Sequence, residues 1–547
     1  MSDIILSGTD RDTDSDTDSD MGTKQWLNGA VGYEVYVRSF ADSNGDGIGD
    51  IAGITGRLDY LKWLGVDIVW VTPFYPSPGH DHGYDVSFYC DVDPQHGSLA
   101  DVDAMIERAH QLDMKIVFDI VPNHTSSEHR WFKTAIADPT SPERDYYLFR
   151  DPKADGSPPN NWISHFGGSA WTLDNNSGQY YCHLFLPEQP DLNWRNPAVR
   201  AEFDAIYAFW FDRGVDGFRI DVAHGLLKHP DFLGNPLRSE IPEGAGPLET
   251  FFSYDHTYDM DQDGNLEIFT RWQDVARPYD ACLLAETGVT DPHRLARYVG
   301  DGALDLAFFL KPGWLGWEPE TFVRELTELA AIEPDGVSWV ISNHDQARPA
   351  SRFGDGAVGR NRAMAVTTMM FSLGGVPYLY QGEELGSPNG VIAPENRADP
   401  VSTRNSTVEG RDICRTPMAW NSDRFNGFST AQPWLVSEER PPDFTVAGQH
   451  ANPAAPLHRY RRLITLRKQL KELWAAELKL VPSGRDDVAV IQRGSTLTVA
   501  NLGPKPFAIN LGDSSWKVAF ASQGGDGDIA SGIVNVAAET TAIMIPA

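Results

Sequence analysis

Residues Gly214–His224 read GVDGFRIDVAH, an apolar run interrupted by Arg219 and Asp221. If its middle is a strand, residues two apart point to the same face, so a guanidinium and a carboxylate stand side by side where a core wants valine or leucine. They are either a structural ion pair or the lip of a site at the strand's end. Seven further apolar, β-rich runs accompany this one: AVGYEVYVRSF from Ala30, VDIVWVTPFY from Val66, MKIVFDIVPNH from Met114, ACLLAETG from Ala281, ALDLAFFL from Ala303, GVSWVISNHD from Gly336 and GVPYLYQGEEL from Gly375. Helical patterns separate them, as in DIAGITGRLDYLKWLG from Asp50, where Ile51, Ile54, Leu58 and Leu61 recur at helical spacing. Strands alternating with helices make parallel βα units, and eight such units predict an α/β fold, a (β/α)8 TIM barrel.

The polar residues fall where such a barrel keeps its chemistry. Asp119, His124, Arg219, Asp221, Glu286, His344 and Asp345 sit in the last residues of a strand or just beyond it, the end that carries barrel active sites. Burying so many charges for stability would be self-defeating, because desolvation costs several kcal/mol per ion. Arg219 and Asp221 therefore belong to a site. Two connections are too long for plain βα loops and read as functional. The segment between His124 and Gln189 is rich in Trp, Asn and Gly, and Ser387–Asp412 is polar and contains prolines. The helical LHRYRRLITLRKQLKELW precedes alternating segments VAVIQRG, LTVANLG, FAINLG and WKVAFAS, a small antiparallel β domain. The expected organisation is an acidic tail over residues 1–22, a barrel over 23–126 and 191–475, an inserted domain over 127–190 after the third strand, and a C-terminal β domain over 476–547.

Composition narrows the partners. Across 547 residues the formal charge is −32, which repels nucleic acid and anionic membranes and suits a neutral substrate. The repeat TDRDTDSDTDSD near the N-terminus has nothing to bury and reads as disordered. With no basic start and no long apolar segment it is neither a signal peptide nor an anchor, so a cytoplasmic location is expected. Cys90, Cys182, Cys282 and Cys414 are far apart without CxxC spacing, as for reduced core thiols. Oligomeric state stays open.

Three carboxylates at one barrel mouth suggest glycoside cleavage. A retaining mechanism uses one as nucleophile and another as proton donor, roughly 5–5.5 Å apart. Asp221 lies beside cationic Arg219 and should stay ionised as the nucleophile. Glu286, between Ala285 and Thr287, has no sequence-adjacent cation and is the better proton donor. Asp345 would stabilise the oxocarbenium-like transition state.

The blocks DIVPNH (Asp119–His124), QPDLNW (Gln189–Trp194), GFRIDVAH (Gly217–His224), LLAETG (Leu283–Gly288) and SNHD (Ser342–Asp345) resemble those of glycoside hydrolase family 13, the α-amylase superfamily, in its α-glucosidase/oligo-1,6-glucosidase branch. The resemblance runs from about Gly32 to the C-terminus, and QPDLNW marks the glucosidase branch. It implies the same three roles, and a first glucose pocket formed by Asp81, Tyr84, His124, Phe166, Arg219 and His344. An arginine of GRDICRTPMAW joins them, with Arg415 favoured over Arg411, while Asp119 supports Arg219 from behind. Asp81 would cap the non-reducing end and make the pocket blind. The implied activity is exo-acting release of glucose from small α-linked gluco-oligosaccharides or disaccharides, without an organic cofactor. Valine directly after the nucleophile, Val222, tends in this branch to accompany α-1,6 activity, and both α-1,4 and α-1,6 linkages stay open.

DSNGDGIGD (Asp42–Asp50) starts like an EF-hand loop, with Asp42, Asn44, Asp46 and Gly47 in place, but the twelfth position is Gly53 instead of glutamate. Alternating oxygen donors can still hold a hard cation. The resemblance implies one structural Ca2+ on Asp42, Asn44, Asp46, Asp50 and the Ile48 carbonyl. A second imitation, DMDQDGNLEIFT (Asp259–Thr270), reads as acids at a helix entrance, and the GxGxxG of Gly354–Gly359 as a loop. His80 and His82 flank Asp81 without an assigned role, and the triplets at Asn123, Asn175 and Asn405 mean nothing without secretion. The same carboxylates would also serve a glucosyltransferase or isomerase. A non-catalytic relative is disfavoured, because all three acids are present.

Overall fold

A computed structural model describes residues 24–300, 303–404, 409–527, 529–530 and 532–547. The acidic repeat and Asn405 lie outside them. The eight expected runs each form a strand: β1 Gly32–Val35, β2 Ile68–Val71, β3 Lys115–Ile120, β4 Gly217–Ile220, β5 Cys282–Ala285, β6 Leu306–Phe309, β7 Val337–Trp339 and β8 Val376–Tyr380. Each strand pairs in parallel with the next, and β8 returns to β1 through Gly32–Tyr378, Tyr33–Leu379 and Glu34–Tyr380, closing the barrel.

Alternation along each strand sorts the side chains. One set packs into the lumen as Ile68, Trp70, Val117, Leu284, Phe308 and Tyr378. The other packs outward against the surrounding helices, for example Val69, Phe118 and Phe218 against Leu61, Met105 and Trp210. Following the lumen face towards the strands' C-terminal ends, Val117 gives way to Asp119, and Gly217 to Arg219. The lumen is thus apolar at its base and charged at its top. Gly217 allows close strand approach, since a Cβ there would lie 2.3 Å from the Cys282 carbonyl oxygen.

Helix starts follow local chemistry. Ser98 and Asp101 form a capping box for Leu99–Gln111, and Asn196 caps Pro197–Phe211 with proline at its first position. The segment after Asp50 is two helices, Ile51–Thr55 and Leu58–Leu64, instead of one; Ile51, Ile54, Leu58 and Leu61 are all buried. The expected loop at Gly354–Gly359 turns at Gly354 and then opens the helix Gly356–Met370. Gly359 sits against Ala350, whose carbonyl oxygen a Cβ would meet at 2.0 Å, so this glycine serves close packing within a helical segment. In Asp259–Thr270, Glu267 stands in the first turn of the helix Asn265–Ala276, while Asp261 pairs with Arg294 and Asp263 with Arg297.

After β3 the chain leaves the barrel for a three-stranded antiparallel sheet of Phe149–Arg150, Trp171–Leu173 and Tyr180–Cys182, which has its own small core around Trp162, Trp171 and Leu184. Bridges His124–Asp191 and Tyr147–Leu192 tie this excursion to its exit. The C-terminal part is antiparallel throughout, with a six-stranded and a two-stranded sheet. Besides the four segments visible in the sequence it uses Leu478–Val481, Ile529–Ala530, Ile533–Val536 and Thr540–Pro546. The four cysteines are free, three of them buried. Among the described residues no helix is long and apolar enough to cross a membrane.

Gly217→Ala should destabilise the barrel by about 1–3 kcal/mol, the cost of overpacking a tight interior, because the contact is with backbone of a neighbouring strand. A thermal melt would show it, and an unchanged Tm would refute the close approach.

Candidate active site

Parallel register builds the centre. Asp119 of β3 is level with Arg219 of β4, and Arg219 with Leu284 of β5, so the fully buried guanidinium meets carboxylates from three consecutive strands. Arg219 Nη1 donates to both oxygens of Asp119 at 2.8 and 2.9 Å and to Asp221 Oδ1 at 2.7 Å. Its Nη2 lies 2.7 Å from Glu286 Oε1. Trp70 lies against the guanidinium, 4.9 Å from ring centroid to Cζ. Asp119 also accepts from Tyr84 Oη at 2.9 Å and Trp70 Nε1 at 3.2 Å.

Directly after Asp221 the chain bends through Val222, whose φ of 46° is a left-handed conformation that a β-branched residue rarely adopts. Such strain costs on the order of 1–3 kcal/mol and clusters at functional sites. The bend lets the Val222 N–H donate to Glu286 Oε2 at 3.0 Å. The shared guanidinium and this N–H hold the Asp221 and Glu286 carboxyls side by side.

Two expectations about charge change here. Glu286 was expected to lack a cation, but it shares Arg219 with Asp221, because the register of β4 and β5 brings together residues 67 positions apart in sequence. Arg219 was expected to keep Asp221 ionised. Burial instead pushes the Asp221 carboxyl well above the usual range; Arg219 opposes this, while Glu286 and Asp119 push it further up. Burial likewise raises Asp119 to about 7 against the pull of Arg219. Asp345 behaves oppositely: burial would raise it, but the guanidinium groups of Arg411, Arg415 and Arg219 together hold it well below the usual range. The site therefore contains an anion, Asp345, beside two carboxyl groups, Asp221 and Glu286, that share Arg219.

A cavity of about 620 Å³ opens over this centre. Asp81, Tyr84, His124, Phe166, Asp221, Glu286 and Asp345 are on its wall, whereas Arg219, His344 and Arg415 lie behind it. The placement of the last arginine corrects the sequence reading. Arg411 is on the wall, its Nη2 2.7 Å from Asp81 Oδ1, its Nη1 3.1 Å from Asp345 Oδ1 and its Cζ 5.2 Å from the Phe166 ring centroid. Arg415 is fully buried, with Nη2 2.6 Å from Asp345 Oδ1 and Nε donating to the His344 carbonyl. Asp399, which accepts from Arg411 Nη2 at 2.8 Å, orients the wall arginine. His344 stacks between Tyr36 and Tyr84, with centroids 5.5 and 5.2 Å away and planes within 12°.

Sequence reasoning assigned no role to Gln189, whose Nε2 lies 3.3 Å from Asp81 Oδ2 and 3.1 Å from His124 Nε2; its place in QPDLNW was the available signal. His80 and His82 are off the cavity wall. Burial lowers His82 to about 3, and its ring meets the Ala398 carbonyl.

Off the cavity wall, the Asp42–Asp50 loop curls on its own side chains. Asp42 accepts from the N–H groups of Asn44, Gly45 and Gly47, Asn44 from that of Asp46, and Asp46 from that of Ile48. Asp50 caps the helix Ile51–Thr55 through the Gly53 N–H. Among the described residues no three His, Cys, Asp or Glu side chains converge as a metal site, so a cation here would need Asn44 and the Ile48 carbonyl as well. The donors are all hard oxygens, the chemistry calcium prefers.

Two carboxyl groups joined through Arg219 next to a third that arginines hold ionised, at the C-terminal mouth of a parallel barrel, define a carboxylate-dependent glycoside hydrolase. The chain belongs to the α-amylase family, glycoside hydrolase family 13, whose catalytic-domain model matches residues 34–476. It is 40% identical over 474 residues to a probable α-glucosidase of Rhizobium meliloti, covering 84% of this chain and 85% of that one. An oligo-1,6-glucosidase of Heyndrickxia coagulans is 35% identical over 543 residues, covering 91% and 96%. Among solved structures, the α-glucosyl transfer enzyme XgtA superposes with a TM-score of 0.88 at 34% identity, covering 95% of this chain and 99% of that one.

Arg411→Ala should weaken glucose binding, read by calorimetry, by on the order of 10- to 100-fold, since a hydrogen bond to a charged group is worth about 1.5–3 kcal/mol. An unchanged Kd would remove Arg411 from the pocket wall.

Proposed function

We propose that this protein is an exo-acting, retaining α-glucosidase that releases glucose from the non-reducing end of small α-1,4- or α-1,6-linked glucosides. The observation that carries the reading is the Arg219-linked pair of Asp221 and Glu286 beside the fixed anion Asp345. Asp221, the less exposed of the pair at 8% against 14%, attacks the anomeric carbon. Glu286 protonates the departing glycosidic oxygen. The proton held by the pair leaves with the glycosidic oxygen through Glu286, so that Asp221 attacks as a carboxylate and Glu286 is left ionised. Asp345 stays ionised throughout, steadies that charge and binds ring hydroxyls. Glu286, now a base, then activates water to hydrolyse the covalent glucosyl ester.

The ion pair of Asp81 with Arg411, backed by Gln189 and His124, supports a blind end that accepts a terminal glucose and stops a chain from threading through. The cavity is larger than a single hexose, which together with the likeness to the α-glucosyl transfer enzyme XgtA supports transfer to a sugar acceptor as a second reading. The calcium reading of the Asp42–Asp50 loop is part of the proposal: Asp42, Asn44, Asp46, Asp50 and the Ile48 carbonyl would hold the ion, which would brace the loop and take no part in the reaction.

Asp221→Asn should abolish turnover of maltose and isomaltose while wild-type enzyme releases α-glucose, seen by NMR of fresh product. Ordinary activity in the variant, or β-glucose from the wild type, would exclude this mechanism, and rapid internal cleavage of amylose would exclude the blind pocket. Replacing Asp42 and Asp46 by Ala should lower the Tm in calcium and remove any response of Tm to a chelator. A wild-type Tm indifferent to chelation would exclude the metal.

A further inference from the structure

Glu34 lies beneath the site and has had no part in the chemistry so far. β1 carries it level with Trp70 of β2 and Tyr380 of β8, and its side chain is fully buried. A carboxyl there needs a hydrogen-bonding partner. It finds one 310 positions along the chain: Glu34 Oε1 is 2.5 Å from His344 Nδ1 and 3.3 Å from the His344 backbone nitrogen. The other ring nitrogen, Nε2, lies 3.4 Å from Asp345 Oδ2. Carboxyl, imidazole and carboxylate thus form a line from the barrel interior to the cavity wall, and Tyr36 and Tyr84 clamp the imidazole from both faces.

The two ends of that line fix the proton between them. Asp345 is an anion held by Arg411 and Arg415, so it can only accept. The His344 Nε2 contact is attractive only if Nε2 bears hydrogen. In a neutral imidazole the lone pair then sits on Nδ1 and must face a donor. Glu34 can supply that donor as a carboxylic acid. The alternative is a buried imidazolium against a carboxylate. Burial opposes it on both sides, pushing Glu34 well above its ordinary range and His344 well below. The charged and titratable groups that face Glu34 are Arg219 on β4, Asp119 on β3, His344 and Asp345 after β7, and Tyr380 on β8. Of these Arg219 lowers it, as does the His344 backbone N–H, while Asp345 and Asp119 raise it further.

We propose that Glu34 is a positioning residue: it donates its carboxylic O–H to His344 Nδ1 and so holds the imidazole as the Nε2–H tautomer, aimed at Asp345 and the hydroxyls of a bound glucose. The inference rests on the glucose-pocket reading above. It gives the pocket a pH dependence of defined sign. While Glu34 is protonated the tautomer is correct. Once alkali ionises Glu34, the imidazole hydrogen moves from Nε2 to Nδ1 to donate to the new carboxylate, Nε2 presents a lone pair to the Asp345 anion, and the grip on the sugar fails.

Glu34→Gln and Glu34→Leu separate this role from simple packing. The glutamine amide can donate to Nδ1 but cannot titrate, whereas leucine fills space without a donor. Glucose affinity measured by calorimetry across pH, alongside kcat/KM on isomaltose, should fall on the order of 10- to 100-fold in Glu34→Leu, the usual cost of losing an orienting partner. Glu34→Gln should keep most of both and lose the alkaline weakening of glucose binding seen in wild type. Should Glu34→Leu fail to fold, the wild-type and Glu34→Gln profiles decide alone. A Glu34→Gln protein that binds glucose weakly at all pH values, or that shows the wild-type alkaline loss, would overturn the proposal. Wild-type protein that binds no glucose at any pH would instead overturn the pocket reading on which it stands.

Discussion

The active centre depends on one buried cation. Arg219 is sealed inside the barrel, yet it satisfies carboxylates from three neighbouring strands: Asp119, Asp221 and Glu286. Taking these charges out of water is costly, and only close geometry with several hydrogen bonds offsets it. Removing one partner from such a cluster typically costs about 3–5 kcal/mol, because the survivors are left uncompensated. Strand order and register, the Val222 bend and the packing of Trp70 and Tyr84 all serve to keep that geometry.

The same cation explains why the carboxylates differ. Asp221 and Glu286 share Arg219, and burial beside other carboxyls pushes Asp221 up. Asp345 faces a different set of cations, Arg411 and Arg415, which hold it ionised despite burial. Acid–base work and charge stabilisation are thus separated by which arginine each carboxylate meets, not by the carboxylates themselves.

Much of this was legible in the sequence. Each of the eight strands is a short apolar run bounded by turn residues, and the period of two put Arg219 and Asp221 on one face. What remained hidden is set by contacts between distant segments. The cation of Glu286 lies on another strand, so its immediate neighbours Ala285 and Thr287 gave a misleading picture. Arg411 and Arg415 flank the single short turn Asp412–Cys414, and only packing against His344 and Asp399 decides which faces the cavity. Glu34 sits in a run that looks like ordinary barrel core, and nothing in that run announces a histidine on the far side of the barrel. In the C-terminal sheets, Leu478–Val481 and Ile533–Val536 are partly exposed strands with weaker apolar alternation, which hid them from pattern reading.

The pocket's decisive contacts span nearly the whole polypeptide: Glu34 meets His344 across 310 positions and Asp81 meets Arg411 across 330. Contacts so remote in sequence form late, because loop closure must come before any reward from binding. During synthesis the early strands therefore emerge with Glu34 still lacking its hydrogen-bonding partner and Asp81 its countercharge. The cavity wall is thus among the last parts of the molecule to mature, and a nascent chain halted before residue 411 would carry Asp221, Glu286 and Asp345 without the arginine that pairs with Asp81.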